Sequence, residues 1–168
     1  MKLRKQSWIS AAILTFFLIA KAEADCQENT IAFNRGDFYA AMSSREIGDV
    51  NGQINSLKEA SVHGKPAFEG ALLMKKAGLI NGPSRKLNLF KQGHNKLEAE
   101  ISRDSSNGEF RFLRLMIQEH APGMLHYKGD LEKDSAYIRH SFKKLPEEVQ
   151  RAITDYSKTS KVLRPGDF

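Results

Sequence analysis

The chain has 168 residues, 40% of them hydrophobic and 27% charged, with a formal charge of +6 from 26 Lys and Arg against 20 Asp and Glu. Lys2, Arg4, Lys5 and Lys21 against Glu23 supply half of that surplus, so the 144 residues after position 24 carry 22 basic and 19 acidic side chains, an ordinary solvated surface. Without a basic run or aromatic interleaving a nucleic-acid surface is excluded, one cysteine excludes an internal disulfide framework, and the length suits one core, not two.

Residues 1–24 have the order of a cleavable secretory leader. Lys2, Arg4 and Lys5 make a positive start, Trp8 to Ala20 is an uncharged, mainly apolar run, and Ala22-Glu23-Ala24 offers small side chains at the −3 and −1 sites. Such a run rises about 20 Å as a helix, short of the ~30 Å of a bilayer core, which argues against a permanent anchor. Cutting after Ala22 competes, because Lys21 and Glu23 fall inside the cleavage region. Cys26 follows Asp25, whose carboxylate disfavours lipidation; a free thiol and an intermolecular disulfide both stay open. The expectation is a periplasmic or secreted protein with no membrane insertion after processing.

Residues 25–36 read as a flexible lead-in, 37–160 as a single helical domain and 161–168 as an extended C-terminal tail. Six or seven helices are expected and no strand. Phe38-Tyr39 opens a short helix. Ile47, Val50, Ile54 and Leu57, spaced 3, 4 and 3, share one face of the next, with Ser43 or Ser44 as N-cap and Gly48 and Gly52 on the far side. Pro66 suits the first position of a helix running to Ala77 and capped by a left-handed Gly78. Asn81-Gly82-Pro83 is turn chemistry. A long helix then runs from Ser84 to Arg103 on the face Leu87, Phe90, His94, Leu97 and Ile101, and Asp104 to Gly108 stops it.

Glu109 to Ala121 is the most apolar stretch after the leader. Phe110, Phe112, Leu113, Leu115, Met116 and Ile117 cover most directions of the wheel, so this helix belongs in the middle of a bundle. Pro122-Gly123 ends it. Leu131, Ile138, Phe142 and Leu145 mark another helix with Asp130 as cap, and Pro146 opens the last, where Val149, Ile153 and Tyr156 share a face. The fold class is all-α: an antiparallel helix-pair stack or a small helical bundle. The segment 67–121 has the outline of a degenerate tetratricopeptide unit, with an offset of about 42 residues instead of 34.

Nothing in the sequence makes a catalytic or metal motif. There is no HExxH, nucleophile elbow, phosphate loop or dinucleotide fingerprint, so no cofactor is expected. His94 falls on an apolar face and reads as a core histidine. His120 and His126 flank Pro122-Gly123, but only Asp130 is near enough in sequence to join them as a ligand. Glu98/Glu100 and Glu147/Glu148 are two apart or adjacent, and on a helix such pairs do not face each other.

One pattern is more pointed. With Phe110 at zero, Arg111, Arg114 and Gln118 lie near 100°, 40° and 80° on the wheel, a narrow polar stripe on a helix that is otherwise apolar nearly all round. Either the stripe meets solvent or Glu98, Glu100 or Asp104 of the preceding helix, or two guanidinium forks line a groove and grip a carboxylate or phosphate of a partner. Nothing in the sequence places Tyr127 and Tyr137 beside it.

The runs Phe110-Arg111-Phe112-Leu113-Arg114-Leu115-Met116-Ile117-Gln118-Glu119 and Ala121-Pro122 resemble exported helical proteins of Bacteroidota. Glu69 to Gly78 (EGALLMKKAG) and Asp155 to Leu163 (DYSKTSKVL) are similar to the same group. The likeness spans roughly residues 66–165, leaves 25–60 uncovered and carries over no catalytic residue. The preferred expectation is a non-enzymatic exported module that binds an envelope protein or peptide in a groove between helix pairs, with Arg111, Arg114 and Gln118 as its contacts. The alternative is a cell-envelope hydrolase whose acidic residues the sequence does not identify.

Overall fold

The computed structural model describes residues 31–168, so the expected leader, the cleavage sites, Cys26 and the first part of the lead-in lie outside the described residues. The described chain is all-α. Its helices are α1 (Arg35–Ser43), α2 (Ile47–Glu59), α3 (Lys65–Leu79), α4 (Pro83–Arg103), α5 (Gly108–His120), α6 (Leu131–Ser141) and α7 (Glu147–Ser157). Contrary to the expectation of no strand, two short segments, β1 (Ile31–Ala32) and β2 (Ala60–Ser61), pair in parallel and tie the lead-in to the end of α2.

Local chemistry explains most boundaries. α1 begins three residues earlier than Phe38 because the Asn34 side chain accepts from the backbone N–H of Asp37. α2 uses Glu46 as its cap residue, with no side-chain bond. Ser44 sits too far back to cap; its hydroxyl accepts from Glu46 N–H and donates to Asp49 instead. α3 runs through Gly78 to Leu79, so Gly78 is helical and the left-handed cap expected there does not form. The left-handed residue lies at the other end, Gly64 with φ +68°, where a Cβ would stand 2.1 Å from the Phe110 ring. Asn107 caps α5 by accepting from the N–H groups of Glu109 and Phe110. α6 ends at Ser141, and Phe142–Lys144 continue as a 3-10 turn before Pro146 opens α7.

α3 and α4 form the tightest hairpin, and glycines make it so. A Cβ on Gly70 would lie 2.5 Å from the carbonyl oxygen of Gly93, and one on Gly93 would lie 2.4 Å from that of Gly70. The two backbones meet where neither residue has a side chain. α3 also packs on α2 and α5, α5 packs on α4 and α6, and α1 packs on both α2 and α7, so the first and last helices touch.

α5 is central, as its composition implies. Phe112, Leu113 and Leu115 are fully buried and Met116 and Ile117 nearly so. Full burial of side chains of this size stabilises by roughly 1.5–3 kcal/mol each. Phe38, Phe68 and Phe110 stack edge-on beside them, at ring separations of 5.2 and 6.0 Å. The last eight residues do not trail away. Leu163 is fully buried, Phe168 packs on Phe142 at 4.5 Å, and Arg139 binds Asp167 at 2.9 Å. Glu119 holds this segment from α5 by accepting from Tyr156, Ser160 and the backbone N–H of Lys161.

Candidate functional site

The polar stripe of α5 lies inside the domain, between α4 and α6. Arg114 is 6% exposed. Its Nε and Nη2 donate to the two oxygens of Asp134 at 2.7 and 2.8 Å, a bidentate fork, and its Nη1 donates to Glu98 at 2.9 Å, with Asp130 at 3.5 Å. Arg111 donates to Asp134 and to the carbonyl of Ser105, both at 2.9 Å, and its guanidinium lies 4.5 Å over the Tyr137 ring. Asp134 itself is wholly buried. Gln118 is 1% exposed, and its Oε1 finds no hydrogen-bond partner among the described residues.

The three predicted contact residues share one face of α5, and the hydrogen bonds of Arg111 and Arg114 turn inward. Glu98 was legible as a partner; Asp134 was not, because it lies 20 residues away on another helix. Glu100 pairs with Arg103, and Asp104 accepts from Ser106 and Asn107. Burial works against the charge on Arg114, but the hydrogen bonds and charges of Asp134, Glu98 and Asp130 outweigh it and hold the guanidinium protonated. The phenol of Tyr127 donates to Glu98 at 2.6 Å, and burial together with that carboxylate pushes its pKa far above the ordinary tyrosine range. Within this cluster both oxygens of Asp134 and all three guanidinium nitrogens of Arg114 are engaged inside the domain.

A second polar contact joins α1 to α5. Arg35 forks onto the buried Glu109 at 2.9 and 3.1 Å, and Tyr39 donates to the same carboxylate at 3.2 Å. Every buried carboxylate among the described residues, Glu100, Glu109 and Asp134, is hydrogen-bonded to an arginine.

The opposite face of α5 borders a cleft of about 1940 Å³. Its walls are the C-terminal halves of α1, α3 and α5, the N-terminal half of α4, the turn at Met124-Leu125 and one face of α7. Met42, Met74, Met116 and Met124 all border it, which is every methionine of the chain except Met1; the first three are buried behind its wall and Met124 is exposed at its rim. Leu79, Leu87, Phe90, Ile117 and Leu125 add apolar surface. Leu87, 41% exposed, and Met124, 83% exposed, carry it to the rim. Sequence reasoning missed this site, because its methionines come from three helices and a turn and form no periodic pattern.

Polar side chains frame the cleft: Arg45, Lys75, Lys86, His120, Glu148, Arg151 and Asp155. The half-buried Lys75 has its pKa lowered by burial and by the nearby charge of Arg45. His120 reaches Tyr156 at 3.3 Å. His94 is half-buried against Tyr127 at 4.8 Å and Phe90 at 6.3 Å, as a packing histidine would be. Among the described residues no group of three or more His, Cys, Asp or Glu side chains is placed to hold a metal ion, and no helix is long and apolar enough to cross a membrane.

No protein-family model matches the chain, and no curated protein or solved structure matches it. The functional reading rests on this geometry.

Proposed function

We propose that the protein is an exported, non-enzymatic helical module that holds a peptide segment of an envelope protein in the methionine-lined cleft. The observation that carries this reading is the gathering of all four methionines beyond Met1 around one concavity. Methionine is unbranched and polarisable, so a wall backed by Met42, Met74 and Met116 and edged by the exposed Met124 can adjust to apolar side chains of different shape. A volume near 1940 Å³ exceeds the roughly 300–1,000 Å³ of small-molecule sites and suits an extended occupant. The exposed Leu87 and Met124 extend the apolar surface outward, where a macromolecule would reach them.

Export, to the periplasm or outside the cell, is supported by the charge–apolar–small order of residues 1–24. The resemblance to exported Bacteroidota proteins agrees with it. A non-enzymatic role is supported by the buried carboxylates: each is bonded to an arginine inside the domain, and none of them lines the cleft. The site assignment thus moves from Arg111, Arg114 and Gln118 to the cleft.

Site-specific photocrosslinking tests the reading. A benzoylphenylalanine placed at position 124, or at 87, in the exporting cell should capture the same polypeptide at both positions. Position 133, highly exposed on α6 and not part of the cleft wall, should capture none of it. Equal capture at 133, or no polypeptide at 124 and 87, overturns the proposal.

A further inference from the structure

Asparagine followed by glycine is the pair most prone to lose its side-chain amide, because no glycine side chain obstructs the backbone nitrogen as it approaches the carboxamide. The chain contains three such pairs, Asn51-Gly52, Asn81-Gly82 and Asn107-Gly108. The fold treats them differently. Asn51 and Gly52 lie inside α2, where helical dihedrals hold the Gly52 nitrogen away from the Asn51 carboxamide and commit its N–H to the carbonyl four residues back. The Asn107 side chain is held as the cap of α5. Its oxygen accepts from Glu109 and Phe110 at 3.1 and 3.2 Å, and its nitrogen donates to Asp104 at 3.3 Å. Asn81 is exposed, in the turn between α3 and α4. Neither its carboxamide nor the Gly82 N–H forms a hydrogen bond with another described residue. Gly82 has φ +94°, a conformation that favours glycine, so the turn keeps the one residue type that leaves the carboxamide open to attack.

We propose that Asn81 is a site of spontaneous deamidation, at which the α3–α4 turn converts to aspartyl and isoaspartyl forms while Asn51 and Asn107 persist. The Gly82 backbone nitrogen gives its proton to hydroxide and attacks Cγ of Asn81. The new C–N bond closes a succinimide ring, and the carboxamide nitrogen leaves as ammonia with a proton taken from water. Water then opens the ring. Hydrolysis of the side-chain bond leaves aspartate, and hydrolysis of the main-chain bond leaves isoaspartate, whose chain runs on through Cβ and Cγ. The sum is asparagine plus water giving an acid plus ammonia, with nothing oxidised or reduced. Asn81 and Gly82 line the cleft together with Lys86 and Leu87, so either product puts a carboxylate on its rim. Isoaspartate also lengthens the main chain of the turn. The aspartate form suits its place, because residue 81 comes just before the first turn of α4, whose unbonded N–H groups favour an anion. The reaction uses only this turn and water, so it does not depend on what the cleft binds.

The test incubates the purified protein, in the form the cell delivers it, in warm, mildly alkaline buffer. Peptide mapping by mass spectrometry at intervals then reads all three pairs in one molecule. Conversion at Asn81 should outpace that at Asn51 and Asn107 by more than about tenfold, because sites held in a helix or a cap react only in molecules that have opened there. The converted peptide should carry heavy oxygen from labelled water and accept a methyl group from an isoaspartyl methyltransferase. In denaturant the distinction should vanish, with all three pairs converting at similar rates. Asn81→Gln should abolish the fast conversion and leave the fold unchanged by circular dichroism. Conversion of Asn51 or Asn107 as fast as Asn81 in the folded protein overturns the proposal. So does persistence of Asn81 under conditions that convert the same pair in the denatured chain, or a fast release of ammonia that survives Asn81→Gln.

Discussion

α5 presents two faces that differ in one respect. On the side of Arg111 and Arg114 the charges are matched and sealed, with Asp134 receiving both guanidinium groups at full burial. On the side of Met116 and His120 the wall is mostly apolar and borders the cleft. With Phe110 at zero, Arg114 lies near 40° and Met116 near 240° on the wheel, so the two faces are roughly opposed. An arginine stripe on an apolar helix therefore does not mark a ligand site by itself. What decides is whether another element brings a carboxylate to it.

The matched face should be the more fragile. Asp134→Ala strands two guanidinium groups, one of them buried, and should cost about 3–5 kcal/mol, seen as a large fall in the thermal midpoint. Replacing Arg114 by Met together with Asp134→Leu should recover part of that loss, because the buried guanidinium is then gone, while the less buried Arg111 keeps the Ser105 carbonyl and Glu98 keeps the Tyr127 phenol. If Asp134→Ala melts like the parent, the cluster is not structural and the contrast between the faces fails.

Leu113→Ala gives the apolar yardstick. Its side chain is fully buried, and the cavity should cost about 2–5 kcal/mol in chemical denaturation. A smaller loss would mean that α5 is not the centre of the core. The glycines sharpen the same distinction between filled and open space. Gly93→Ala drives a Cβ into the carbonyl of Gly70 and should destabilise by about 1–3 kcal/mol. Gly48→Ala, with nothing within 4 Å of its Cβ, should stabilise α2 by about 0.5–1 kcal/mol.

The cleft should be stable without its residues. Met124→Ser, at a side chain 83% exposed, should change stability by less than about 0.5 kcal/mol while reducing capture of the polypeptide crosslinked from position 87. A drop in the melting temperature instead would make Met124 part of the core.

The smallest expected effect is at the C-terminal wrap. The backbone N–H of Arg164 and the Arg139 guanidinium hold the Asp167 carboxyl below its ordinary value. A depressed acid stabilises above its unfolded pKa, ~3.9 for aspartate, and that help is lost as pH falls through the lower folded value. The protection factor at Leu163 should therefore fall as pH drops below ~3.9, while α5 stays protected. Simultaneous loosening of both would show that the wrap and the core unfold together.

Much of this architecture is legible in the residues alone. The 3-and-4 spacing of Ile47, Val50, Ile54 and Leu57, the Pro and Gly breaks at 64–66, 82–83 and 122–123, and the all-round apolarity of 109–121 set the helices and the place of α5. These signals are local: helical periodicity and turn chemistry act within a few residues, so one chain segment reports them. The expected tail at 161–168 fails for the complementary reason. Leu163 and Phe168 look like two isolated apolar residues until Phe142 and the rest of the core receive them. Gly70 and Gly93 likewise carry no mark of their contact, since each is an isolated glycine within a helical pattern.

The residues of α5 by themselves determined that a central helix carries a narrow polar stripe. Tertiary structure alone decided what that stripe does, because a guanidinium's role depends on the nearest carboxylate in space, and Asp134 approaches it only when α6 packs against α5. The cleft was decided the same way: Met42, Met74 and Met116 are far apart in sequence, and only the packing of α1, α3 and α5 brings them behind one concave wall.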